Sequence, residues 1–320
     1  MFSFLLGADN QIIMLLGVIA AFCATFACTK LLMNRLPSDQ GRAFAVDGAK
    51  SAGKPRGAGI IFVLVFAICA LLFSNLTIEL AIYLLLIVFE MITGYMDDAA
   101  SKPWGEYIKG FLDLVVAVLV AGTYIYFNGT GVTLALFGIS FRLPVVLFAI
   151  LVVALVWTAI NVTNCSDGVD GLSATLVIVT LMSFFIVMQK IDYINKDFNY
   201  VIILFVMCLV AYLWFNATPS LLLMGDAGSR AMGIFIAITA LKSGSPILYL
   251  LLSVVLLLDG GLGLLKVALL RFCKIHILKN TRTPLHDHVR KNVGWSNTQV
   301  VFRFAIIQIF ISAVVIYLVK

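Results

Sequence analysis

Seven acidic or imidazole side chains stand out because they sit in short, glycine-bearing or proline-bearing segments. Asp97 and Asp98 lie in GYMDDAASK (94–102), and Asp167 and Asp170 in NVTNCSDGVDGLSA (161–174). Asp226 lies in FNATPSLLLMGDAGSRAMG (215–233), and His286 and His288 in TPLHDHVRK (283–291). Adjacent aspartates in a chain poor in charge repel each other, so a cation is expected to compensate them. Carboxylate clusters without sulfur suit magnesium, which takes one or two protein carboxylates and completes its sphere with water and substrate phosphate. A zinc site would want more histidine or cysteine at close spacing, and no cysteine lies near His286 and His288.

Each segment also has a plainer reading. Asp97 and Asp98 could be a solvated helix end, Asp170 and Asp226 helix N-caps, and the two histidines a solvated loop pair. Several features favour chemistry instead. Asn164, Asp167 and Asp170 recur every three residues, a spacing that could line one helical face, and Gly168 and Gly171 permit tight turns. Asp226 stands between glycines ahead of an apolar segment, so its carboxylate and the first amides of a helix could face a metal–phosphate unit. Near the histidines, Lys279, Arg282, Arg290 and Lys291 could hold a diphosphate, because cations stabilise spread phosphate charge.

What must position these groups is a membrane bundle. Of 320 residues 62% are apolar and 12% charged, against about 25% charged in soluble domains. The apolar residues form ten blocks, near 11–33, 57–74, 76–95, 109–128, 143–161, 172–188, 200–217, 230–242, 246–269 and 299–319. Most are close to the roughly 20 residues that cross a bilayer as a helix. No alternating strand pattern appears, so an all-α polytopic protein of about ten transmembrane helices is predicted, with 1–320 as a single domain. The first block lacks a preceding basic residue and is read as a retained anchor with its N-terminus outside.

Alternating the spans puts 17 Lys and Arg on one side and 5 on the other, which assigns the richer side to the cytoplasm and both termini to the outside. The segments bearing the seven side chains all fall on that cytoplasmic face, so the expected site is a cytoplasmic-face cleft. The net charge of +6 reflects this asymmetry and gives no argument for nucleic acid. The six cysteines read as small apolar fillers. Glu90 and Asp259 fall inside spans, where an ionisable group faces protein or a water-filled cleft, and either could be structural or functional.

In order and side, these motifs resemble the polyprenyl-phosphate N-acetylhexosamine-1-phosphate transferases. That family carries an Asp-Asp pair ending a span, an Asn-x-x-Asp-Gly-x-Asp-Gly loop, a Gly-Asp-x-Gly-Ser loop and a histidine-bearing last loop, matched here by Asp97-Asp98, Asn164–Gly171, Gly225–Ser229 and His286–His288. The segment TPLHDHVRKNVGWSNTQVVFRF (283–304) is most similar to the members that use UDP-N-acetylmuramoyl-pentapeptide. The chain departs from that branch at Asp287, where a middle histidine is usual, at Arg290 in place of an acid, at Ser101 in place of a lysine, and at PRGAG (55–59) in place of Pro-Thr-Met-Gly-Gly.

The resemblance implies transfer of the phosphosugar from UDP-N-acetylmuramoyl-pentapeptide to undecaprenyl phosphate in a bacterial cell membrane, with Mg2+ as cofactor, release of UMP, and a homodimeric assembly. It places Asp226 and Asp98 at the metal, Asp97 at the lipid phosphate, and His286 and His288 at the diphosphate. Asp167, Asp170 and Asn164 would surround nucleotide or sugar, Asn216 would stand beside the metal, and Lys54, Lys102 and Lys109 near phosphates. Two other readings compete: a sister transferase using UDP-N-acetylglucosamine, and a cation- or proton-coupled transporter. The transporter is disfavoured because the acids cluster at one surface and no inverted pair of broken helices is apparent.

Overall fold

The computed structural model describes residues 10–41, 51–191 and 196–319. Arg42, Lys50 and Lys320, all counted in the charge asymmetry, lie outside the described residues. Helices α1 (Asn10–Leu32), α2 (Gly59–Phe73), α3 (Ile78–Asp98), α4 (Glu106–Asn128), α5 (Val145–Cys165), α6 (Leu172–Lys190), α7 (Lys196–Asn216) and α8 (Gly225–Lys242) follow one another. Then come α9, broken into Pro246–Leu252 and Val254–Cys273 at a 68° bend, α10 (Leu285–Asn292) and α11 (Asn297–Leu318). A hairpin of β1 (Gly131–Leu134) and β2 (Ile139–Arg142), antiparallel with Gly131 opposite Arg142, joins α4 to α5 and was not expected from the sequence.

Local signals set the helix boundaries. Thr77 accepts the Leu80 N–H at 3.1 Å to begin α3, and Ser296 with Gln299 forms a reciprocal capping box at the start of α11. Within the helices the backbone satisfies itself, which is what a hydrocarbon solvent demands. Outward-facing apolar residues such as Ile68, Leu85, Phe302, Ile306 and Phe310 form the lipid-facing surface.

All ten apolar blocks are helical, yet among the described residues seven helices are long and apolar enough to cross a membrane, or eight if the bent α9 counts as one span. The two that fall outside that count are α2, with 15 residues, and α8, which carries Asp226, Arg230 and Lys242. A physical reason is plain for α8. All 18 of its residues are buried by neighbouring helices, so it has no surface that must be apolar for lipid.

Small residues allow that burial. Gly59 of α2 abuts Gly228, Gly94 of α3 abuts the backbone of Asp226, and Gly233 abuts Ala159 and Ile160 of α5. The connections gather at two ends of the bundle. At one end Lys242 pairs with Glu79 at 2.9 Å and bonds Asn128, while Lys190 bonds the carbonyls of Ile316 and Tyr317. At the other end lie the segments singled out by the sequence.

Candidate active site

The end of α3, the start of α4 and the start of α8 converge with the strap that precedes α2. Gly225 turns the chain into α8 with φ +69°, and a side chain there would overlap the Asp98 carboxylate. Asp98 instead accepts the N–H groups of Asp226 and Ala227, both at 3.0 Å. An acid from α3 thus caps α8, whose own Asp226 does not.

One arginine ties the acids together. Arg56 donates Nε to Asp98 Oδ1 at 2.8 Å, Nη1 to Asp39 Oδ1 at 3.0 Å and Nη2 to Asp226 Oδ1 at 3.3 Å. Burial alone would lower its pKa, but Asp98 and Asp226 raise it, so the guanidinium stays charged. For Asp39, burial pushes upward and is overcome by Ser51, 2.6 Å away, and by Arg56, leaving its carboxyl below the ordinary value. Lys109 of α4 bridges Asp97 Oδ2 at 2.5 Å and Asp226 Oδ2 at 2.9 Å, and the Trp104 N–H bonds Asp97 Oδ1 at 2.6 Å.

These groups and Asn164 line a cavity of about 340 Å³. Asn164 also bonds Ser229 Oγ at 3.0 Å. Four carboxylates (Asp39, Asp97, Asp98, Asp226) face two cations (Arg56, Lys109), which leaves an excess of two negative charges. Among the described residues no three metal-binding side chains converge as a ready cage. The arrangement fits a hydrated divalent cation held by one or two carboxylates, with Asp39, Asp97 and Asp226 the acids that line the cavity without capping a helix.

A second group adjoins it. Lys54 donates to Ser220 Oγ at 2.9 Å and lies 3.8 Å from Asp170, whose carboxylate accepts the Ser220 N–H at 3.1 Å rather than capping α6. Asn216 accepts the Gly171 N–H at 2.8 Å and donates to the Leu222 carbonyl at 2.9 Å. It braces two turns and is not on the wall of the acidic cavity. Asp167 is half-buried on the same turn as Gly168.

The histidines lie on α10, a helix where the sequence suggested a loop. They face different partners. His286 packs against Gly168 and contacts Asp259 through Nδ1 at 2.8 Å, while its N–H bonds Asp259 Oδ1 at 2.8 Å. Burial would lower the His286 pKa, but Asp259 overrides it and the net shift is upward. Asp259 thus has a partner, as does Glu90, which takes Arg230 Nε at 2.7 Å. His288 Nδ1 accepts the Arg282 N–H at 3.3 Å.

Arg290 pairs with Asp287 at 3.3 Å, and Lys279, Arg282 and Lys291 join Lys266 around a separate cavity of about 430 Å³. Lys102 is exposed and lines neither cavity. Of the sequence candidates, Asp97, Asp98, Lys109, Asn164 and Asp226 share one cavity; Lys54 and Asp170 stand together at another point. Sequence reasoning missed Arg56 and Asp39. The signal for Arg56 was its place in PRGAG, directly before an apolar helix, where a charged side chain needs a partner.

Residues 80–244 match the sequence family described as glycosyl transferase family 4. The chain is 43% identical over 315 residues to a phospho-N-acetylmuramoyl-pentapeptide-transferase of Treponema pallidum (strain Nichols), covering 93% of this chain and 86% of that one. It is 28% identical over 321 residues to the protein of the same name from Borrelia garinii subsp. bavariensis, covering 91% and 89%. The one from Bartonella quintana is 28% identical over 314 residues, covering 88% and 85%.

Proposed function

The chain belongs to glycosyl transferase family 4, within its phospho-N-acetylmuramoyl-pentapeptide-transferase branch, and from that premise we propose that it transfers phospho-N-acetylmuramoyl-pentapeptide from UDP to undecaprenyl phosphate, releasing UMP. The observation that carries the reading is the cavity in which Asp97, Asp98 and Asp226 meet Arg56 and Lys109. Phosphoryl transfer asks chiefly for alignment and charge stabilisation, and this cavity offers both.

The residues divide the work. Asp226 would hold the metal, Asp98 would orient it from behind by capping α8 and lend a second carboxylate to the same ion, and Asp97 would orient the lipid phosphate. That phosphate, with a second pKa near 6, is largely dianionic at neutral pH and needs little help from a base. Its oxygen attacks the sugar-proximal phosphorus, the bond from that phosphorus to the UMP oxygen breaks, and UMP leaves with the electron pair. Mg2+ supplies charge neutralisation on the diphosphate. Lys109 and Arg56 balance the aspartates and lend positive charge to the transferring group. Asn164, Asp167, Asp170 and Lys54 contact nucleotide or sugar, and α10 with His286 and His288 frames that side.

The site faces the cytoplasm and both termini lie outside, a reading supported by the Lys and Arg excess at the end that holds the acids. A single catalytic domain and a homodimer complete it. The test is magnesium-dependent UMP release by the purified protein given undecaprenyl phosphate and either UDP-N-acetylmuramoyl-pentapeptide or UDP-N-acetylglucosamine, with Asp226→Asn as control. Release from the muramoyl substrate alone, lost in the variant, is expected. Release from the glucosamine substrate alone, or from neither, would overturn the reading.

A further inference from the structure

Beneath the cavity lies a second tier of charge that the reaction itself does not use. Arg230 of α8 donates Nε to Glu90 of α3 at 2.7 Å and Nη2 to Asp113 of α4, and Asn161 of α5 donates to the other Asp113 oxygen at 2.9 Å. Glu90, Asp113 and Arg230 are all at most 2% exposed. The same three helices that supply Asp97 and Asp98, Lys109 and Asp226 therefore meet again deeper in the bundle.

The registers coincide. Arg230 follows Asp226 by four residues and Asp113 follows Lys109 by four, so each lies one turn, about 6 Å, further in on the same helical face. Glu90 precedes Asp97 by seven residues, two turns along α3 on the face that meets α8. Between the tiers, Gly94 lets the α3 backbone touch that of Asp226. A shift of any of the three helices that spoiled the deep contacts would move the cavity acids by a similar amount.

Folding alone does not account for such a network. Glu90 Oε2 and Arg230 Nη1 have no hydrogen-bond partner among the described residues, and two carboxylates face one guanidinium. Incompletely satisfied buried ions are poor contributors to stability, and apolar replacements of similar volume often do as well or better. What an arginine fork does well is fix the relative placement of the carboxylates it holds.

We propose that Arg230, with Glu90 and Asp113, is a positioning network that sets the spacing of Asp97, Asp98, Lys109 and Asp226 for phosphoryl transfer. The inference rests on the transferase reading above. Its test compares turnover, KM and melting temperature, in detergent, of the parent with Glu90→Leu/Asp113→Leu/Arg230→Leu and with Arg230→Lys. The parent's turnover tests the transferase reading first, so a failure there is separable from a failure of this inference.

Removing all three charges leaves no unpaired ion, so the triple variant is expected to melt near the parent temperature. Its kcat should nevertheless drop at least 10-fold while KM for the nucleotide substrate changes less than 3-fold, because misplaced reacting groups cost turnover more than binding. Arg230→Lys keeps the charge and loses the fork, and should show a smaller loss of kcat at unchanged melting temperature. A folded triple variant with kcat within 2-fold of the parent, or a loss confined to KM, overturns the proposal. If the triple variant does not fold, Arg230→Lys decides alone: reduced kcat supports the network's role and parental kcat overturns it.

Discussion

Arg56 Nε lies 2.8 Å from Asp98 Oδ1, and that same oxygen accepts the Asp226 N–H. The strap before α2 is thereby joined through a single carboxylate to the helix that carries Asp226. Arg56→Lys should keep the charge but lose the three-way fork, lowering kcat by roughly 10- to 100-fold. Arg56→Ala leaves several mostly buried carboxylates without their shared partner and should destabilise the fold by about 3 kcal/mol. Chemical or thermal unfolding in detergent beside UMP release would separate the two effects. Parental kcat in Arg56→Lys would show the fork to be dispensable.

Asp98 and Asp226 should respond differently to amide replacement. Asp226→Asn removes the charge that faces the cavity and should abolish turnover at any magnesium concentration. Asp98→Asn can still accept a helix amide, losing about 1 kcal/mol of charge–dipole stabilisation. It should fold, retain measurable turnover and require more magnesium. A titration of rate against magnesium for both variants checks this; identical profiles would contradict the division of roles.

Gly225 combines a left-handed backbone with direct contact to the Asp98 carboxylate. Gly225→Ala should therefore cost about 1–2 kcal/mol in backbone strain and push Asp98 off the α8 amides. A fall in kcat of more than 10-fold is expected, against little change for Gly105→Ala, where a side chain would meet open space. Rate assays on the two variants suffice.

The His286–Asp259 contact predicts a pH-dependent stability. The folded pKa of His286 is raised above its unfolded value of about 6.5. Its contribution is complete below about pH 6.5 and is lost as pH rises through the folded pKa. Melting temperature should fall across that alkaline window, and His286→Asn, which keeps an N–H for Asp259 but does not titrate, should flatten the fall. An unchanged slope in the variant would rule out this pair as its source.

Much of this was legible in the sequence because lipid imposes a simple rule on composition. Long apolar blocks gave the helices, and the acids left at their ends gave the cavity. What escaped was whatever depends on a partner distant in the chain. Nothing near Glu90 or Asp259 in the sequence announces Arg230 or His286, which lie 140 and 27 residues away. Arg56 was hidden in the same way, its three acids drawn from three separate segments. The plainer N-cap readings of Asp170 and Asp226 do not hold, because Asp98 takes the first amides of the helix that carries Asp226 and the Asp170 carboxylate accepts the Ser220 N–H instead. The hairpin β1–β2 is too short, with four residues per strand, to produce a recognisable alternation.

Because α8 is enclosed on every side by other helices, the carboxylate at its tip touches no acyl chain. The outer helices can tilt to match a thicker or thinner bilayer, at a modest cost per ångström of mismatch. The geometry at Asp226 is insulated from that adjustment, much as an axle is from the rim that turns around it. The enzyme's chemistry should thus be indifferent to bilayer thickness even where its lipid substrate's access is not.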